Sequence, residues 1–73
     1  MDLAELVRTT ARSQSILVEG SDDLDVSSMT VVEFVLALED ALQIEIPNVE
    51  MTAANFKSVS TAVAMVTRLG AVT

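Results

Sequence analysis

Apolar positions recur at helical spacing in three separate stretches of this chain. In residues 2–12, Leu3, Leu6, Val7 and Thr10 share one side, and Arg8 and Arg12 lie on the other. Residues 28–43 carry the strongest helical signal, with the good helix formers Leu36, Ala37, Leu38, Glu39, Ala41 and Leu42 filling the second half. Pro47 then pushes Ile46 out of the helical region, so Gln43–Asn48 is expected to be a connector. Thr52 is an N-cap for a brief turn, Ala53–Phe56. Ser58 is the N-cap of a last helix over 59–69, with Gly70 as its stop. The stripe of that helix is Val59, Ala62, Val63, Val66 and Leu69. Residues 13–27 form a loop, pinned to the core by Ile16, Leu17, Val18, Leu24 and Val26. Ile44-Glu45-Ile46 alternates but is too short for a strand. These elements predict an all-α fold, a small three-to-four-helix bundle in a single domain over 1–73.

The second helix has two apolar faces. On a wheel at about 100° per residue, Val31, Phe34, Val35, Leu38, Ala41 and Leu42 form one arc, broad enough to be the whole core face. Met29, Val32 and Leu36 fall roughly opposite, bracketed by Glu33, Glu39 and Asp40. An exposed apolar strip rimmed by carboxylates is a docking surface for a basic, grooved partner. The alternative is that the first helix or the long loop covers Met29 and Leu36.

Charge is distributed in the same sense. Four Lys+Arg against eleven Asp+Glu leave a net charge of −7, which argues against nucleic acid and anionic membrane as partners. Residues 13–56 hold nine acids and no base, and Arg8, Arg12, Lys57 and Arg68 all lie outside that stretch. Such asymmetry raises association rate toward positive patches more than it raises affinity. By itself it is equally a solvated face kept for solubility. The same charge on so small a body favours a monomer.

Composition removes most enzymatic chemistry. With 73 residues the core is thin, since a domain of this size buries only ~60% of the surface of its unfolded chain. There is no Cys and no His, so disulfides, thiolate chemistry, the commonest general base and the commonest zinc ligand are all missing. Without Trp or Tyr, two Phe leave little to stack on a base or sugar. Asp22-Asp23-Leu24-Asp25 lacks the ligand spacing of a calcium loop, and Gly20 and Gly70 do not make a phosphate loop. No apolar run reaches the ~20 residues that span a bilayer, and the acidic start is unlike a secretory signal, so a cytoplasmic protein is expected.

Ser27-Ser28-Met29-Thr30 stands where loop becomes helix. Either serine would serve as the N-cap, and Thr30 with Glu33 has the spacing of a capping box. The functional reading is a hydroxyl at a helix N-terminus, where backbone N–H groups and the positive dipole end tolerate an attached phosphate. With no His to activate it, such a serine is an attachment point and not a catalyst.

Ser28 through Leu42, followed by Ile44-Glu45-Ile46-Pro47, resembles the second helix and Ile-Pro connector of acyl carrier proteins, and Phe56-Lys57-Ser58-Val59 resembles the start of their last helix. The likeness covers roughly residues 24–69. It implies that Ser28 carries 4′-phosphopantetheine through a phosphodiester, with an acyl or aminoacyl group held as a thioester on the arm. The sulfur missing from the chain would then come from the cofactor. The strip Met29, Val32 and Leu36, with Glu33, Glu39 and Asp40, corresponds to that family's partner-recognition helix. Implied partners are a phosphopantetheinyl transferase, a loading ligase or acyltransferase, and a downstream synthase. Two positions depart from the family pattern. Ser27 stands where Asp is usual, which makes Ser27 a second, weaker candidate for attachment, and Thr30 replaces an acid of fatty-acid carriers. The double serine is closer to stand-alone carriers of amino acids or specialised acyl units, as in polyketide and nonribosomal-peptide assembly. A housekeeping fatty-acid carrier is the alternative within the family. Outside it stand an unmodified acidic interaction domain and a purely structural bundle.

Overall fold

A computed structural model describes residues 2–71 as three α-helices and one 3-10 turn. Helix α1 spans Leu3–Ser13, α2 spans Ser28–Leu42, and α3 spans Val59–Arg68; the 3-10 turn is Asn48–Glu50. The Cα radius of gyration is 10.7 Å, against about 11 Å for a compact chain of this length. Among the described residues the only β features are two isolated bridges, Leu17 with Leu24 and Asp23 with Ser58. The expected class, a small helical bundle, describes this architecture.

Each helix is bounded by side chains the sequence places there. Asp2 caps α1, its carboxylate accepting from the Glu5 amide at 2.7 Å. At the other end Ser15 adopts a left-handed φ of 60°, and the Ser15 and Ile16 amides donate back to the Arg12 and Ala11 carbonyls. Ser58 caps α3 through a reciprocal box with Thr61. Gly70, at φ 95°, closes α3 in the same manner as Ser15 closes α1, with its amide on Thr67 and that of Ala71 on Val66.

The core is one cluster drawn from every element. Val7 and Ala11 come from α1, and Phe34, Val35 and Leu38 from α2. Val59, Ala62, Met65 and Val66 come from α3, and Ile16, Leu24, Ile46, Phe56 and Ala71 from the connections. At its centre Phe34 and Phe56 meet edge to face, ring centroids 6.0 Å apart. Helix α1 packs against both α2 and α3.

The 14–27 loop is held as the apolar pattern predicts. Ile16 and Leu24 are buried and Leu17 and Val26 half-buried. Its backbone is also tied to the start of α3, with the Leu24 amide donating to Lys57 O and the Val59 amide to Asp22 O. Val18 is the exception, exposed at 40%.

Three expectations need correction. Ala41, assigned to the core arc of α2, is exposed, because it sits at the margin of the stripe in the last turn. In α3, Met65 is fully buried while Val63 and Leu69 are half-buried, since α3 is covered from more than one side. The brief turn expected over Ala53–Phe56 is present, with Thr52 accepting from the Asn55 amide at 3.3 Å. Helical geometry appears at Asn48–Glu50, after the expected connector, where Pro47 is an extended N-cap (φ −69°, ψ 156°) whose carbonyl accepts the Glu50 amide at 2.9 Å.

Candidate functional site

The two serines at the head of α2 have different tasks. Ser27 is the N-cap, in extended geometry with φ −113°. Its hydroxyl accepts from the Thr30 amide at 3.3 Å, and Thr30 Oγ1 accepts from the Ser27 amide at 2.6 Å. The capping box is therefore Ser27 with Thr30, and not Thr30 with Glu33. Ser28 is the first helical residue; it is exposed, and its hydroxyl takes no part in the box. Its own amide and that of Met29 are left outside the box as well, as donors at the positive end of the helix.

A cleft of about 210 Å³ opens beside Ser28. It is lined by Val26, Val31, Met51, Ala53 and Phe56 together with Ser27, Ser28 and Thr52, and no charged residue lines it. Two larger clefts lie elsewhere, one between the end of α1 and the following loop around Arg8, Arg12 and Asp22, the other around Glu39, Glu45 and Leu69. Neither includes Ser28, and both carry charged side chains.

The second apolar face of α2 is uncovered. Met29 is 77% exposed, Val32 45% and Leu36 60%, so neither α1 nor the long loop shields them. Glu33 and Asp40 flank them in solvent. Glu39 differs from these two. It is half-buried, and its Oε2 accepts the Ile46 amide at 2.8 Å, fixing the connector after α2. Its first task is thus structural, which helical spacing alone does not reveal, because the partner lies seven residues on beyond the end of the helix. Val49, 79% exposed in the 3-10 turn, is a further surface apolar residue that the wheel of α2 has no means of finding.

Electrostatically the face of α2 is unneutralised. Among the described residues the ion pairs are Arg8 with Asp22 and Arg68 with Glu50, each at 2.6 Å. Neither involves Glu33, Glu39 or Asp40. The arrangement offers a nucleophilic oxygen without a base beside it, an uncharged cleft, and an acidic apolar strip on the same helix. No helix among the described residues is long and apolar enough to cross a membrane.

Comparison with known proteins returns nothing: no family model, no curated protein and no solved structure matches this chain.

Proposed function

We propose that the chain is a discrete carrier protein, with Ser28 as the attachment point for 4′-phosphopantetheine and α2 as the helix its partner enzymes read. The observation that carries this reading is the division of labour at the head of α2. Ser27 and Thr30 satisfy the cap between them, and Ser28 is left exposed. A serine needed as a cap would resist modification; this one is not needed. A phosphodiester there would sit at the positive end of α2, where anionic charge is favoured. The chain has no histidine, and in this reading the base that removes the hydroxyl proton belongs to the transferase.

The carrier itself performs no catalysis in this reading. A ligase or acyltransferase loads the arm thiol, and a downstream synthase accepts the group, each docking in turn on Met29, Val32 and Leu36 with Glu33 and Asp40 around them. One surface serving several enzymes favours small, transient contacts assisted by charge. The uncharged walls of the cleft beside Ser28 support an apolar cargo, such as a specialised acyl unit in polyketide- or peptide-type assembly. Such a carrier would act in the cytoplasm as a monomer.

The test is coexpression with a phosphopantetheinyl transferase of broad specificity, followed by intact mass. A gain of one arm that disappears in Ser28→Ala supports the reading. A gain that persists in Ser28→Ala and is lost in Ser27→Ala moves the site by one residue. No gain with an active transferase leaves the second reading, an unmodified acidic domain that docks through the α2 strip. That reading is favoured by the exposure of Met29 and Leu36, which does not depend on Ser28.

A further inference from the structure

The connection between α2 and α3 supplies the outer wall of the cleft beside Ser28, through Met51, Thr52, Ala53 and Phe56. It is anchored to the core at Ile46 and Phe56, half-buried Met51 packs against the core between them, and no residue from Pro47 to Asn55 is fully buried. Apart from Met51, apolar burial does little to hold the stretch between the anchors. Polar bonds do, and they converge on Glu50. Its Oε1 accepts from the Arg68 guanidinium at 2.6 Å and from Asn55 Nδ2 at 3.0 Å. Its backbone carbonyl accepts from the same Asn55 amide at 2.7 Å. Arg68 belongs to the last turn of α3, so this side chain joins the wall of the cleft to a helix of the bundle, beside a second tie in which the Thr61 hydroxyl of the same helix donates to the Asn55 carbonyl at 3.1 Å. The two partners remain wet, with side-chain exposures of 55% for Arg68 and 23% for Glu50. Ion pairs this exposed are weak and screened by salt, so such a fastening opens readily.

We propose that Glu50 is a latch: its bonds to Arg68 and Asn55 hold the 48–56 wall against the cleft at Ser28, and their release widens the cleft for the end of the group carried on that serine. The second half rests on the carrier reading; the fastening itself does not. Low local stability in a segment lining a binding site is the usual source of such motion. The uncharged cleft explains why the control sits outside it, since a charge inside would oppose an apolar cargo.

Amide hydrogen exchange on the unmodified protein tests the fastening, comparing wild type with Arg68→Gln and Glu50→Gln. The amides of Met51, Asn55 and Phe56, which donate within the wall, are expected to exchange about 2–5-fold faster in both variants. Ala11 and Val66, in the cores of α1 and α3, are expected to be unchanged. High ionic strength should reproduce the effect in wild type and add nothing in Arg68→Gln. Equal acceleration at every amide, or none in the wall, overturns the latch. The cargo half is read by loading a hexanoyl phosphopantetheine arm on Ser28 and following the methyl signals of Val26, Val31 and Ala53. Larger shifts in Arg68→Gln than in wild type support it, and equal shifts overturn it. Failure of Ser28 to accept the arm overturns the carrier reading and the cargo half together, while the exchange result still decides the fastening. Loading with unmoved wall amides overturns the latch alone.

Discussion

Two neighbouring serines illustrate how one position in a helix can be indispensable and the next replaceable. Ser27 holds its own end of α2 by accepting the Thr30 amide, so Ser27→Ala is expected to cost about 1 kcal/mol in denaturant unfolding. Ser28 makes no bond in that box, and Ser28→Ala should change stability by less than about 0.5 kcal/mol while abolishing attachment of the arm. If the two variants lose equal stability, the division between cap and attachment point is wrong. Ser15 offers an independent check on the backbone. It holds φ 60° at the end of α1, a conformation costly for a residue with a Cβ. Ser15→Gly should therefore stabilise the fold by about 0.5 kcal/mol, a rise of a few degrees in Tm. The caps at residues 58 and 70 were legible in sequence because each is a local bond, whereas the Asp2 cap of α1 emerged only with the structure. Which of the two serines caps α2 was not, since the choice depends on the dihedral angles at the head of the helix and both residues suit either place.

At the scale of the helix, α2 serves two environments with one sequence. Phe34, Val35 and Leu38 are buried while Met29, Val32 and Leu36 face solvent. The periodicity separates these faces directly, and its core and surface arcs hold except at Ala41. Charge reversal at Glu33 and Asp40 is expected to leave unfolding free energy within about 0.5 kcal/mol of wild type. The same change should slow modification or loading about tenfold, mainly through association rate, with the deficit shrinking as salt is added. A deficit insensitive to salt would place the recognition elsewhere. Glu39 behaves differently. Removing its carboxylate leaves the Ile46 amide without its partner in a half-buried place, so Glu39→Ala should lower stability by about 1 kcal/mol whatever it does to docking. The short helical turn shows the limit of reading by element. Pro47 ends the helical signal of α2 and also precedes a new turn as its extended N-cap, its carbonyl accepting the Glu50 amide, and local chemistry does not choose between the two tasks.

For the molecule as a whole, stability depends on a small core. A chain of this length has about 4–11 kcal/mol to lose, and the Phe34–Phe56 contact lies at its centre. Phe34→Ala is expected to lower the unfolding free energy by about 3–5 kcal/mol in denaturant titrations followed by circular dichroism. A loss under about 1 kcal/mol would mean that the two rings are not the centre of the core. What the sequence alone determined is whatever follows from neighbours within a few residues: three helices, most of their caps, the two faces of α2, the acidic stretch, and the serine pair at the head of α2. Only the tertiary structure decided that nothing covers Met29 and Leu36, that Glu39 turns to the connector, that Glu50 reaches Arg68, and that a cleft opens beside Ser28. The physical reason is range. Helical periodicity and capping are set by interactions over three or four positions. Exposure, distant hydrogen bonds and empty space depend on how far apart the packed elements come to rest.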